Sequence, residues 1–331
     1  MKQLSAFCGD NYELAFSLLH TLSNPSTVSG TYSGMSLDNE RVFYVPDHEQ
    51  NHCRFCGKSV PDVSFRKKAH AVSEFLGNKL ILSRNECDAC NENFARIESH
   101  LASYLQPYNT LWGVHGKRGV PVCKTKDNTG RISTTPFKDF SPSGQEQHWV
   151  FAEQAEKGMR IIDLNEKNKS LTVSIERPSH VPSLVYKGLV KIALSLLPHK
   201  YLANFPSALS WLNSGSPSFA SPMCILEDHF CGEYNLFEHL HLYGFVRNRC
   251  DPDFPLYYML LCYGNLAIQF FVPSTFELEK GRSLRFPTPL DSAYPYESKV
   301  VDLSSCEWKR DSVFRKRFDY ERHEAYDRPL P

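Results

Sequence analysis

Two cysteine pairs set the strongest constraint on this chain. Cys53-x2-Cys56 and Cys87-x2-Cys90 each present two sulfurs from one tight turn, the spacing with which a chain grips one side of a tetrahedral zinc ion. Four thiolates at about 2.3 Å leave the metal no open position, so such a site is structural. The stretch 57–86 between the pairs is longer than a simple zinc ribbon needs, and a folded insert is expected there. A redox CxxC is the rival reading, but it would use a single pair beside a βαβ pattern. The sequence of 331 residues holds eleven cysteines, the others being Cys8, Cys123, Cys224, Cys231, Cys250, Cys262 and Cys306. An odd number in a chain of this length points to free thiols and metal ligands rather than a disulfide framework.

The insert has its own pattern. VSFRKKAHAVS (63–73) contains strand-like segments, Gly77-Asn78 marks a turn, and KLILS (79–83) follows as a second strand. NECDACNENFARIESHLASYL (85–105) then places Phe94, Ile97, Leu101 and Leu105 on one helical face, with Pro107 expected just past the helix end. His70 falls on the first strand and Asn91 in the first turn of the helix. Zinc at both ends of this ββα unit would hold the two across a short gap.

The residues CRFCG (53–57), KKAHAVSEFLGNK (67–79) and ECDACNENF (86–94), with Glu98 beyond them, resemble the HNH endonuclease family. The likeness is greatest to a bacterial subgroup similar to modules found beside anti-phage systems. It covers about a sixth of the chain. It implies that His70 is the general base that takes a proton from the attacking water, and that Asn91 helps to hold a catalytic divalent ion, Mg²⁺ or Mn²⁺. Many members carry an acid or histidine directly before the catalytic histidine, and Ala69 stands there in this sequence. Glu74 and Glu98 are the candidates to replace that ligand, with Glu92 behind them. Asn78 and Asn85 are both candidates for the asparagine that steadies the loop of the base. The implied activity is endonucleolytic, on DNA ahead of RNA, with an anti-phage effector role as the corresponding context. The alternative is a zinc-stapled nucleic-acid-binding or scaffold protein without catalysis, for which Ala69 is the best argument.

Lys plus Arg equals Asp plus Glu at 37 each, so any surface for nucleic acid must be a local patch. Arg66, Lys67 and Lys68 form one candidate, and Lys124, Lys126 and Arg131 a second. Arg54, Lys58, Lys79, Arg84, Lys117 and Arg118 add to the same region.

The expected class is α+β: a lead-in at 1–48, a small ββα-metal zinc-stapled module at 49–112, and a larger mixed α+β domain at 113–331. In the lead-in, Tyr12 to Leu19 fit a short helix, SNPSTVSGTYSGMS (23–36) a loop, and RVFYV (41–45) a strand. Residues 113–145 suit a loop or ribbon, and QHWVFA and SLTVSIE short strands. Leu184, Tyr186, Leu189, Ile192, Ala193, Leu196 and Leu197 share a helical face, with Lys187 and Lys191 expected outside it and Pro198 at its end. Residues 238–272 suit sheet, and the charged stretch from Trp308 onward a peripheral tail. Cys224, His229, Cys231, His239 and His241 fit no zinc spacing. The role expected for the larger domain is sensing, partner binding or target choice, with a protein partner among the options. No stretch is long and apolar enough for a membrane span, and acidic residues interrupt the start MKQLSAFCGDNYELAFSLLH, so a soluble, cytoplasmic protein is expected.

Overall fold

The computed structural model describes residues 12–20, 27–45, 51–126, 130–137, 147–153, 159–168, 170–219, 222–230, 236–248, 254–274, 286 and 296–319. Helix and sheet are mixed throughout. The first part forms β1 (Tyr12–His20), β2 (Val28–Tyr32), β3 (Met35–Glu40) and β4 (Phe43–Val45). Next come β5 (Ala69–His70), a 3-10 turn at Glu74–Leu76, β6 (Ile81–Ser83) and the long helix α1 (Asp88–Leu111). A ribbon follows: β7 (Cys123–Lys124), β8 (Arg131–Phe137) and β9 (Gln147–Glu153). Then come β10 (Met159–Asn165), β11 (Ser170–Glu176) and the helices α2 (Pro182–Leu196), α3 (His199–Leu202) and α4 (Pro206–Asn213). The last strands are β12 (Cys224–Phe230), β13 (Phe237–Arg247), β14 (Tyr257–Gly264), β15 (Leu266–Phe271), β16 (Tyr296–Asp302) and β17 (Val313–Asp319).

Eight strands make one antiparallel sheet in the order β16-β12-β15-β14-β13-β1-β2-β3. Strand period decides which side chain faces which core. On β14, Tyr257, Met259, Leu261 and Tyr263 join the main core with α1 and α2. Tyr258, Leu260 and Cys262 point to a second cluster with Tyr12, Phe230, Phe245 and Phe271. Both faces of β14 and β15 are thus buried, which explains their continuous apolar sequence.

Several expectations from the sequence give way. Residues 12–20 are a strand, not a helix. Phe16, Leu18 and His20 are buried in alternation while β1 is hydrogen-bonded to β13 on one side and β2 on the other. A register shift between Leu14 and Phe16 changes the phase of the apolar positions and blurs the alternation. The loop expected at 23–36 contains β2 and the start of β3; positive φ at Ser33 and Gly34 closes the turn between them. Pro107 lies inside α1. Burial of Tyr104, Leu105, Tyr108 and Leu111 around it outweighs the one hydrogen bond a proline forfeits. Lys187 and Lys191 are each only 1% exposed, so α2 is buried all round rather than on one face. Residues 313–319 of the supposed tail form β17 beside β11. Helix α2 packs closely on α1 because Gly188 has no side chain: a Cβ there would stand 3.2 Å from Leu101 Cβ. Among the described residues no helix is long and apolar enough to cross a membrane.

Candidate functional site

The four predicted cysteines converge. Cys53 and Cys56 come from a turn in which Gly57 adopts positive φ and donates its N–H to the Cys53 carbonyl. Cys87 precedes α1 and Cys90 lies in its first turn. Their four Sγ atoms lie within 4.8 Å of one another. The Cys53–Cys90 and Cys56–Cys87 pairs are each 3.8 Å apart. A tetrahedron of thiolates around zinc, with Zn–S of about 2.3 Å, has edges of about 3.8 Å, so the donors fit that ion. Cys53, Cys87 and Cys90 are buried and Cys56 is half-buried, so most of the site is shielded from water. Among the described residues this is the only group of three or more His, Cys, Asp or Glu side chains placed to share a metal. His229 bonds Tyr108 and Glu227 instead, and His241 bonds Tyr243. Cys231 and the His239 side chain lie outside the described residues.

The insert between the pairs carries His70. Strand β5 pairs antiparallel with β6, with His70 opposite Leu82, and the chain then turns through Glu74–Leu76 to a left-handed Gly77. Asn78 fixes this turn. Its Nδ2 donates to the carbonyls of Val72 at 2.5 Å and Ile81 at 2.9 Å, and its Oδ1 accepts from the Leu80 and Ile81 N–H groups. Of the two asparagines considered for steadying the loop, Asn78 has this geometry.

His70 is half-buried, with Nε2 3.8 Å from Glu74 Oε1. Burial pulls its imidazole below the ordinary value; Lys68 and Lys191 push the same way, while Glu74 and Glu98 oppose them. Its Nδ1 is buried with no hydrogen-bond partner among the described residues. Ala69, directly before the candidate base, is 1% exposed. Asn91 is half-buried in the first turn of α1. Glu98, two turns further on, forms an ion pair with Lys191 at 3.1 Å. Glu92 is exposed and pairs with Lys67.

The basic candidates separate into two groups. Arg66, Lys67 and Lys68 are exposed on the loop before β5. Asp88 shapes that loop by accepting hydrogen bonds from the main-chain N–H groups of Arg66 and Lys67 and from the Ser64 hydroxyl. Lys124 and Arg131 are exposed and stand directly opposite each other across β7 and β8. Lys126 is partnered by Asp311 at 3.3 Å and by the Arg310 carbonyl at 2.9 Å. The ribbon packs beside Gln106 and Thr110 of α1, whereas the first group lies near Asp88 and Glu92. At about 1.5 Å of rise per residue, roughly 27 Å of helix separates the two groups. Arg54 is no surface charge: it is buried and donates to the carbonyls of Ser195 and Leu197.

Three contributors escaped the sequence because they lie elsewhere in the chain or looked ordinary. Lys191 reads as a solvent-side helix charge. Asn213 of α4 donates to the Phe55 carbonyl at 2.7 Å inside the cysteine turn. Glu86, directly before Cys87, is 2% exposed and 3.3 Å from Lys191; burial pushes its carboxyl up to about 7 against the pull of that lysine.

A short antiparallel pair and a helix bring four thiols that could hold one metal ion close to a half-buried histidine. Residues 53–105 match the family model described as HNH endonuclease. No curated protein and no solved structure matches the chain.

Proposed function

We propose that the chain is a metal-dependent HNH endonuclease that hydrolyses phosphodiester bonds, with DNA ahead of RNA as its substrate. The observation that carries this reading is His70, half-buried between the two cysteine pairs of the matched segment, with its imidazole held below its ordinary value by burial. A neutral imidazole is the form that can act as a base. His70 takes a proton from water and the water oxygen bonds to phosphorus; the bond from phosphorus to the 3′ oxygen breaks, and that oxygen leaves with the electron pair and takes a proton from solvent to become a hydroxyl. Asn91, with Glu98 or Glu74, offers hard oxygen donors for Mg²⁺ or Mn²⁺, an ion that typically takes one or two carboxylates and completes its shell with water and phosphate. When bound, such an ion offsets charge on the phosphate and on the leaving oxygen. The exposure of Arg66 and Lys68 on the loop that leads to His70 supports their reading as phosphate contacts. Lys124 and Arg131, exposed and opposite each other across β7 and β8, offer a second contact for phosphate. Residues 113–331 would supply target or partner recognition. A cytoplasmic anti-phage role rests on the family resemblance alone.

A second reading, a zinc-stapled binding module without catalysis, is favoured by the burial of Ala69 and by the pairing of Glu98 with Lys191. Incubation with plasmid DNA and with total RNA, in Mg²⁺ or Mn²⁺, separates the two. The nuclease reading expects cleavage by the wild type and a loss of about 100-fold in His70→Ala with zinc retained. Equal products from both proteins, or none from either, would support the binding module.

A further inference from the structure

Helix α2 is largely apolar but carries one stripe of buried polar side chains, Ser183, Lys187, Lys191 and Ser195, whose two charged members, Lys187 and Lys191, lie one turn apart. Their ammonium groups serve different ends. Lys187 Nζ donates to the carbonyls of Ser214 at 2.8 Å and Ser216 at 3.1 Å, just past the C-terminus of α4, the place where a cation belongs on structural grounds alone. Lys191 Nζ instead donates to the main-chain carbonyl of His70 at 2.9 Å and makes ion pairs with Glu98 at 3.1 Å and Glu86 at 3.3 Å.

Docking α2 does not require this arrangement. A buried ion cluster is weak support for stability, because removing the charges from water costs about as much as their attraction returns. The neighbours Val190, Ile192 and Leu194 show that apolar side chains serve α2 well. What Lys191 adds is placement. Strand β5 is two residues long and lies at the edge of its sheet, in the order β4-β6-β5. An edge strand leaves backbone groups without a neighbouring strand, and Lys191 takes one of them, the carbonyl of His70 itself. The same nitrogen holds the Glu98 carboxylate, so the main chain of the base and the carboxylate on α1 are tied to a single point.

We propose that Lys191, which lies outside the matched segment, is a positioning residue for the nuclease centre: its ammonium sets His70 through its carbonyl and holds Glu98 beside it. The centre is then completed by the larger part of the chain. This inference rests on the nuclease reading above, and its test keeps the two apart.

The test uses full-length wild type, Lys191→Met, Lys191→Arg and the double variant Lys191→Met/Glu86→Gln. Zinc content and thermal midpoint report the fold. Single-turnover cleavage of a labelled duplex is normalised to the zinc-loaded fraction, and duplex binding is read by fluorescence anisotropy. A misplacement of about 1 Å at such a centre costs on the order of 100-fold in rate. We expect that loss in Lys191→Met, a higher Mn²⁺ concentration for half-maximal cleavage, and duplex affinity within about twofold of wild type. Lys191→Arg keeps the charge but not the geometry of a compact ammonium, and should recover stability with only part of the rate. Should Lys191→Met not fold, the double variant, which leaves no orphaned buried carboxylate at Glu86, and Lys191→Arg carry the decision. Folded, zinc-loaded variants with the rate and Mn²⁺ dependence of wild type would overturn the positioning role and leave the nuclease reading standing. A wild type that cleaves no better than His70→Ala would overturn both.

Discussion

The Arg54 guanidinium donates to the carbonyl oxygen of Ser195 at 2.6 Å, joining the first cysteine turn to a helix end 141 residues away. Its second nitrogen donates to Leu197 O, also at 2.6 Å. These are carbonyls of the C-terminal turn of α2, which lack helical partners and attract a cation. Arg54→Met keeps much of the apolar stem but leaves both carbonyls without a donor. A loss of about 3 kcal/mol is expected, seen as a lower denaturant midpoint with unchanged zinc content. An unaltered midpoint would mean that the module docks without this bridge.

Zinc should be part of the folding energy. The thiol cluster is buried and its sulfurs have tetrahedral spacing, and in such sites metal binding and folding are one equilibrium. Cys53→Ser or Cys90→Ser is expected to lower solubility and thermal midpoint and to remove zinc measured by elemental analysis. Asn213, which donates to the Phe55 carbonyl, links the same turn to α4. Asn213→Ala should therefore weaken the fold modestly while keeping the metal. A fully stable, zinc-free Cys90→Ser protein would contradict the account.

The cysteine turns, β5, β6 and most of α1 were legible because their signals are local: ligand spacing, a Gly-Asn turn and a four-residue apolar period. The core strands 238–272 were legible for the same reason. Residues 12–20 were not. A bulge shifts the phase of the strand, and its partner β13 lies more than two hundred positions away. Lys191 was misread for a related cause. Its period placed it beside the apolar stripe, and nothing local says that Glu86 and Glu98 wait on the far side of the helix. In the candidate site, the four motif cysteines converge as their spacing implies, whereas the contacts supplied by α2 and α4 required the fold.

The ribbon charges should set affinity rather than rate. Lys124 and Arg131 face each other and are exposed, while Lys126 is engaged by Asp311 and Arg310. Neutralising Lys124 and Arg131 together is expected to weaken duplex binding and reduce the slope of log affinity against log salt by roughly 1–2. Lys126→Gln should change that slope less. Single-turnover cleavage at saturating protein should hold in both. An unchanged slope in the double variant would place the ribbon away from the phosphate backbone.

Acid should loosen the junction between α1 and the start of α2. His100 Nδ1 accepts the Val181 N–H at 3.1 Å, which requires that nitrogen to be unprotonated. Burial lowers the imidazoles of both His100 and His180 below 6.5. A depressed folded value means that the unfolded chain binds the proton first. Stability is therefore complete above about pH 6.5 and falls as the pH drops through the lower folded values. Glu86, whose carboxyl burial raises to about 7, acts in the opposite sense in the same range, so the histidine contribution is read as the difference between two proteins: from pH 7.5 to 5.5 the denaturant midpoint of wild type should fall relative to that of His100→Gln. A constant difference between the two midpoints across this range would overturn the assignment.

The residue that replaces the acid absent at Ala69 can be found from metal dependence. Glu74 lies 3.8 Å from His70 Nε2 and is half-buried, so its carboxylate borders the base directly. Glu98 is held by Lys191. If Glu98 is a ligand, Glu98→Gln should raise the Mn²⁺ or Mg²⁺ concentration for half-maximal cleavage by about tenfold or more, an effect worth about 1.4 kcal/mol of metal affinity. Glu74→Gln would then change mainly the pH profile of the rate, because it removes a charge that supports the protonated imidazole. The pattern is reversed if Glu74 is the ligand. Asn91→Ala should lower the rate in either case, with partial rescue by added metal. Metal titrations of the three variants, run beside His70→Ala, read all of this in one series. Unchanged metal dependence in both glutamate variants would remove the carboxylates from the metal site, leaving Asn91 and substrate phosphate to hold the ion.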